Sequence, residues 1–362
     1  MARKSIWSKI IAFVMSMSLL GSLCACSDQT WSVNAGDVSM PMGTYILFMY
    51  QSYLEAKTEL GLNDYSSGKS QNRVAITNKK IGDKKVSDWI YEKTLEKCKV
   101  YLFVHTKFNE MGLSFSEEEL NNIQKEVDQY WDQGGSTWEE QKVSKDSYYK
   151  IVGEFPKMQE AVFKAMYGKE GVQAVSDESL ENFYMENYIN CGVLKKSYTK
   201  ESSTEDAAAD DDSATTEKKL SDEEIAKIKE TLDGYAQSIN DGKLTADELK
   251  KQLESKNDTD KFSMNVMKKD GMYYSDEIKN AFNELEIGKA KTLENEESYY
   301  LLVRGSIDES VKKIKEDDAT RENILYEMKN DEFESLAKDI KVQINYRGIN
   351  AFPPSYFDPQ YQ

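Results

Sequence analysis

Apolar residues recur at every third and fourth position through the first half of the chain, which is the period of an amphipathic helix. On this basis we predict helices over 41–61, 84–112, 117–133, 144–168 and 176–188. Ser116 and Glu119 form a capping box at the start of the third helix, and the pair Gly134-Gly135 is expected to end it. The first half is therefore predicted to be helical.

The pattern changes after residue 188. Residues 189–198, 261–268 and 298–305 are short apolar or alternating stretches, which are typical of strands. Helices are predicted to start at Ser221 and Thr245 and to cover 275–286 and 308–340. We therefore predict a mainly α protein with an α+β insert, in which both chain ends form one discontinuous helical domain.

The domain boundaries predicted from these shifts in pattern follow the chain. They are an export signal over 1–25, a tether over 26–34, a helical domain over 31–188, an α+β domain over 189–306, a closing helix and strand over 307–350 and a tail over 351–362. The α+β domain contains an acidic insert over 201–219, and its first part (201–217) holds seven acids and no base. Such a composition cannot bury a core, so the insert is predicted to be disordered.

The N-terminus is typical of an exported protein. Basic residues precede an uncharged stretch over 10–23, which is too short to be a stable membrane span. The sequence Leu23-Cys24-Ala25-Cys26 resembles a bacterial lipobox, and Cys26 fits the lipidated position best. We expect a lipid anchor on Cys26 and an extracytoplasmic location on the cell membrane; the alternative is an ordinary signal peptide with incidental cysteines.

Charge and composition exclude several classes of function. Asp and Glu total 64 against 47 Lys and Arg, which gives a net charge of -17 and argues against nucleic-acid binding. His105 is the only histidine, so metal sites and triads built on several histidines are excluded, and it is predicted to be a buried or half-buried helix residue. The glycines near Gly68 lack the spacing of a phosphate loop. No cofactor, metal or nucleotide is predicted.

The order of elements and three motifs resemble the extracytoplasmic foldases of the SurA and PrsA type. The motifs are Val175 to Tyr184 before a strand, Ala281 to Gly288 at a helix end, and Glu297 to Val303 in the last strand of the insert. The resemblance implies a SurA N-terminal-like chaperone domain that brackets a parvulin-like peptidyl-prolyl isomerase domain. It also implies a role in binding unfolded secreted polypeptides without ATP.

The isomerase positions depart from the family pattern. Active parvulins usually carry one histidine in the first strand and one in the last, and the corresponding positions here are Gly192 and Tyr300. The resemblance therefore implies a domain that is catalytically weak or inactive. The candidate proline pocket consists of Met264, Met272, Ile278, Phe282 and Tyr300; the alternative is that these residues are ordinary domain core.

Together these observations predict a membrane-anchored extracytoplasmic chaperone or foldase. The 22 Tyr and 14 Met suit an adaptable surface for non-native chains. Its predicted partners are unfolded secreted polypeptides and, through the anchor, the membrane, and a homodimer is an open alternative. The rival functions are a scaffolding lipoprotein without chaperone activity and an active isomerase with atypical pocket residues.

Overall fold

The computed structural model describes residues 30–62, 74–201, 217–255 and 262–359. Cys26 and most of the acidic insert lie outside the described residues. The contacts between residues divide the chain into two compact units, one of Val175–Met328 and the other of Met1–Ala174 with Lys329–Gln362. We call the second of these the helical unit and Val175–Met328 the sheet unit. Within the described ranges, no helix is long and apolar enough to cross a membrane.

The described part of the chain is mainly helical. Its helices are α1 Met42–Glu59, α2 Val86–Glu110, α3 Glu117–Glu140, α4 Lys145–Tyr148, α5 Phe155–Tyr167, α6 Asp177–Asn187, α7 Asp222–Asn240, α8 Ala246–Ser255, α9 Asp276–Glu284, α10 Asp308–Glu316, α11 Asp318–Lys338 and α12 Tyr346–Ile349. A π-helical turn, Tyr149–Glu154, joins α4 to α5, and a 3-10 turn, Pro354–Phe357, follows α12.

The strands form small antiparallel sheets. They are β1 Trp31–Ala35, β2 Val38–Pro41, β3 Lys80–Ile81, β4 Lys84–Lys85, β5 Tyr188–Ser197, β6 Thr199–Glu201, β7 Glu217–Lys219, β8 Met264–Lys268, β9 Ala290–Glu294, β10 Ser298–Gly305 and β11 Gln343–Ile344. The larger sheets have the orders β11-β1-β2 and β8-β5-β10-β9, and β3-β4 and β6-β7 are two-stranded sheets.

The capping box predicted at Ser116 is confirmed, and the helix predicted to start at Ser221 begins with a second one. Ser116 Oγ accepts a hydrogen bond from the backbone N–H of Glu119 at 3.2 Å, and the Glu119 carboxylate accepts from the N–H of Ser116 at 2.7 Å. Ser221 and Glu224 make the same pair of bonds at the start of α7. Each box satisfies two backbone donors that have no partner inside the helix, and so fixes where the helix begins.

The predicted stop at Gly134-Gly135 is wrong, because α3 continues to Glu140. A Cβ atom on Gly135 would lie 2.5 Å from the indole ring of Trp131. Glycine at this position therefore lets the Trp131 ring lie against the helix backbone, where it also contacts the Tyr148 ring at 5.3 Å. The glycine serves side-chain packing, and the last turns of α3 carry Trp138.

Two helices predicted as single elements differ in the structure. The 144–168 stretch contains the π-helical turn, in which a Cβ on Gly153 would lie 2.6 Å from Val127 of α3. The turn thus brings bare backbone against α3. The 308–340 stretch is broken between α10 and α11, and the Asp317 carboxylate accepts a 2.8 Å hydrogen bond from the N–H of Thr320 in the first turn of α11.

Both ends of the chain take part in the core of the helical unit. β1 pairs with β2 on one side and with β11 on the other, with Val33 opposite Ile344. Phe333 of α11 is fully buried and packs edge-on against Phe103 and Phe163, with ring centroids 5.4 and 5.5 Å apart. Closure of this unit therefore depends on segments that are far apart in sequence.

The sheet unit is wider than the predicted α+β domain over 189–306, because it includes α6 and α10; the predicted domain edges remain predictions. Its sheet is packed on both faces, with α7 and α8 against one cluster of buried residues and α9 against the other. Arg321 of α11 is 3% exposed and donates hydrogen bonds to Asp177 and to the carbonyl of Val175, each at 2.7 Å. The buried Arg321 side chain therefore holds the start of α6 against α11.

The two adjacent glycines of α3 should respond in opposite ways to substitution. We expect Gly134→Ala to stabilise the protein by about 0.5–1 kcal/mol, since a Cβ there meets nothing within 4 Å and alanine favours a helix. We expect Gly135→Ala to destabilise it by about 1–3 kcal/mol through displacement of the Trp131 ring. Thermal unfolding followed by circular dichroism measures both; equal shifts for the two variants would contradict the packing role of Gly135.

Candidate functional site

Four of the predicted proline-pocket residues lie together in the sheet unit. Met272, Ile278, Phe282 and Tyr300 belong to one cluster between α9 and the sheet, in which Phe282 is fully buried and the others are 4–9% exposed. Side chains buried to this extent expose almost no surface to a proline ring from solvent. This arrangement supports the alternative that they are domain core.

Met264 and Gly192 lie on the opposite face of the same sheet. Met264 packs against the cluster under α7 and α8, and a Cβ on Gly192 would lie 2.6 Å from the Met264 sulfur and 2.7 Å from the Phe262 ring. Gly192 pairs with Val303, whereas Tyr300 pairs with Lys195. The structure therefore does not bring Gly192 and Tyr300 together.

Cys191 precedes Gly192 in β5, and its side chain lies on the same face of the sheet as Tyr300. Burial raises the pKa of Cys191 to about 11, so the thiol is protonated at neutral pH and is a poor nucleophile. The Tyr300 hydroxyl accepts a 3.3 Å hydrogen bond from the side-chain amide of Asn295. These groups form a packed interior with no acid–base pair in it.

An open cavity lies instead in the helical unit. Its volume is about 550 Å³, and it is lined by Tyr50, Thr137, Trp138, Gln141, Tyr356, Phe357 and Asp358. We call this feature the aromatic cavity. Its four aromatic side chains are half-buried, so that each keeps part of its surface in contact with solvent.

Three separate segments supply the rings of the aromatic cavity. Tyr50 is on α1, Trp138 is in the last turn of α3, and Tyr356 and Phe357 are on the C-terminal 3-10 turn. The Tyr50 ring lies edge-on to Trp138 at 5.2 Å and to Phe357 at 5.1 Å between centroids. Such edge-to-face contacts hold the rings in fixed relative orientations.

Asp358 anchors the C-terminal turn that carries two of these rings. One carboxylate oxygen accepts hydrogen bonds from the backbone N–H of Ile76 at 2.8 Å and from the Tyr53 hydroxyl at 3.2 Å, and the other accepts from the Thr77 hydroxyl. Burial, followed by the nearby Asp358 charge, raises the pKa of Tyr53 well above its ordinary value. The phenol therefore stays protonated as a donor to this carboxylate.

Sequence reasoning missed the aromatic cavity. Trp138 lies beyond the predicted end of its helix, and Tyr356, Phe357 and Asp358 fall in the segment predicted as a tail. The available signal was the high aromatic content of that segment, which a solvated tail does not need. The contact partners of Asp358, however, lie about 280 residues away in sequence and have no local signature.

His105 is confirmed as a partly buried helix residue. Its ring lies 4.1 Å from the Tyr101 ring, and within the described residues its buried Nε2 atom makes no hydrogen bond. Burial and the nearby Lys150 charge lower the pKa of His105 to about 4. The imidazole is therefore neutral at physiological pH and contributes packing.

Comparison with known proteins gives two structural neighbours. Foldase protein PrsA from Streptococcus pneumoniae str. Canada MDR_19A is 12% identical, with 72% of this chain and 89% of that chain covered and a TM-score of 0.23. Foldase protein PrsA from Lactococcus lactis is 11% identical, with 92% and 100% covered and a TM-score of 0.26. The chain is thus similar to PrsA foldase structures, but at TM-scores too low to carry a functional argument. No family model and no curated protein matches the chain.

Removal of the Asp358 carboxylate should release the C-terminal turn. Asp358→Ala leaves the donors of Ile76, Thr77 and Tyr53 without this acceptor, and we expect a loss of about 1–3 kcal/mol in the free energy of unfolding. Faster proteolysis at the C-terminal turn should accompany the loss. The exposed neighbour Ser355→Ala is the control, and equal protease resistance of the two variants would contradict the anchoring role.

Acid should destabilise the folded chain through His105. The unfolded imidazole has an ordinary pKa of 6.5 and the folded one about 4, so between these values the unfolded state binds the extra proton and stability falls as the pH falls. Between pH 7 and pH 5 we expect the wild type to lose about 2 kcal/mol relative to His105→Leu. Comparing the two proteins cancels the opposing contribution of Glu154, whose pKa burial raises. Parallel pH profiles would contradict the expectation.

Proposed function

We propose that this chain is an extracytoplasmic, lipid-anchored chaperone of the SurA and PrsA type, which holds unfolded secreted polypeptides without ATP. The aromatic cavity carries the proposal. Partly exposed aromatic rings on rigid helical segments offer an apolar, orientable surface to extended chains of varied sequence. Four such rings around one open cavity suit a holding function better than a catalytic one.

The proposal assigns the sheet unit the role of a parvulin-like domain with little or no isomerase activity. Support comes from α6 leading directly into β5, and from α9 covering one face of the sheet, as the resemblance implies. Isomerisation needs an accessible apolar pocket and groups that favour the twisted amide. The cluster of Phe282, Met272, Ile278 and Tyr300 is closed by its own side chains, which favours inactivity.

The proposed anchor is a pair of acyl chains on Cys26. Two chains give stable membrane attachment where one gives only reversible binding. The acid excess of the chain suits this location, because like charge keeps the body away from an anionic membrane surface. The helical domain would then work beside the membrane from which secreted chains emerge, and the proposal leaves open whether it acts as a homodimer.

Two measurements on the full chain test the function. We expect suppression of the aggregation of a chemically unfolded client, and no acceleration of a proline-limited refolding reaction. We expect the double variant Tyr50→Ala with Trp138→Ala to require about tenfold more protein for the same suppression, because it removes two rings of the aromatic cavity. Trp89→Ala, a half-buried tryptophan elsewhere on the helical unit, is the matched control.

The outcomes separate the rival functions. An absence of suppression by the unmodified chain would contradict the chaperone proposal and favour a scaffolding lipoprotein. Clear turnover in the proline-limited reaction would contradict the inactivity of the sheet unit. Equal loss of suppression in the double variant and in Trp89→Ala would contradict the aromatic cavity as the binding surface.

A further inference from the structure

The described lining of the aromatic cavity contains groups that attract a cation. Its lining combines four aromatic rings with the Asp358 carboxylate, and none of the lining residues in the described part of the chain is a lysine or arginine. Aromatic ring faces and a carboxylate both attract a cation, the first through the ring quadrupole and the second through its charge. The lining therefore suits a positively charged guest.

Elsewhere in this protein, tyrosine rings beside a carboxylate hold a lysine side chain. In the sheet unit, Lys229 lies 5.9 Å from the Tyr198 ring and 5.8 Å from the Tyr299 ring, and pairs with Glu294 at 2.5 Å. In the helical unit, Lys329 lies 5.5 Å from the Tyr167 ring and pairs with Glu332 at 2.7 Å. In both cases one or two aromatic rings, a carboxylate and a cation come together as one group.

Polar groups around the aromatic cavity also remain open to a guest. Within the described residues, no side-chain hydrogen bond is made by the polar side chains of Tyr50, Thr137, Trp138, Gln141 and Tyr356. Elsewhere the tyrosine hydroxyls of comparable groups are occupied, as when Tyr198 donates to Glu294 at 2.9 Å. Among the residues that the structure describes, the cavity thus has unused hydrogen-bonding capacity, and its carboxylate faces neutral donors rather than a cation.

We infer that the aromatic cavity binds a lysine or arginine side chain of an unfolded client polypeptide. The inference rests on the proposed chaperone function and gives it a preferred substrate class, extended segments that carry a cationic residue beside apolar ones. The rings contact the cation and its aliphatic stem, and Asp358 supplies the opposite charge. A cavity of about 550 Å³ has room for the cationic side chain and for part of a neighbouring residue.

A matched pair of peptides tests the inference. One is an unstructured, fluorescently labelled peptide with a single arginine among apolar residues, and the other replaces that arginine by citrulline, which keeps the shape and removes the charge. Binding to the full chain in detergent micelles is measured by fluorescence anisotropy. We expect the arginine peptide to bind roughly 2- to 30-fold more tightly than the citrulline peptide.

Two variants test whether the preference for arginine over citrulline arises at the aromatic cavity. Trp138→Leu should reduce the ratio of the two affinities toward one, because it removes a ring face from the cation. Trp89→Leu is the control and should preserve the ratio, since Trp89 already has Lys93 over its ring at 5.9 Å and lies outside the aromatic cavity. Circular dichroism of both variants verifies folding, and the peptide pair on the unmodified chain tests the charge preference without any variant.

The results distinguish failure of the inference from failure of the proposed function. Equal affinity for the arginine and citrulline peptides, together with suppression of client aggregation, would overturn the cationic preference and leave the chaperone function standing. A preference that persists unchanged in Trp138→Leu would overturn the assignment to the aromatic cavity. Absence of binding by both peptides, together with absence of aggregation suppression, would overturn both.

Discussion

The anchoring of the C-terminal turn by Asp358 is the interaction on which the candidate site depends. Two of the four rings in the aromatic cavity lie on that turn, and the carboxylate joins it to the Ile76–Thr77 segment and to Tyr53 of α1. An ionised acceptor that receives several hydrogen bonds is worth more than the same number of neutral bonds. One carboxylate therefore converts a Pro- and Tyr-rich segment from a tail into a wall of the cavity.

Local patterns predicted the elements well and the site poorly, for different physical reasons. The helical period and the capping boxes at Ser116 and Ser221 depend on neighbours in sequence, so they can be recognised directly. The role of Gly135 depends on the rotamer of Trp131, and a glycine that accommodates a ring has the same sequence as one that ends a helix. The docking of Asp358 depends on partners about 280 residues away, which no local pattern encodes.

In the sheet unit, the alternation of side chains along a strand determines which residues can share a site. Gly192 and Tyr300 were assigned as equivalent to two catalytic histidines, but successive side chains of a strand point to opposite faces, and these two lie on different ones. The two-residue period is available from the sequence, whereas the pairing of β5 with β10 that sets the common face is not. The cluster around Phe282 is closed by its own side chains, so it contributes packing within the sheet unit.

The distribution of charge distinguishes the aromatic cavity from other aromatic groups of the chain. In a chain with a net charge of -17, Lys229 and Lys329 lie over tyrosine rings and pair with Glu294 and Glu332, so these two aromatic groups are internally neutralised. The aromatic cavity has its carboxylate and its rings with no lysine among the described residues of its lining. The proposed holding function requires weak binding and release of many sequences, and a cation on an aromatic surface meets both needs, since its contribution is modest and requires only one residue of a client. The acid excess that argues against nucleic-acid binding thereby also supports the inferred preference for polypeptides with basic side chains.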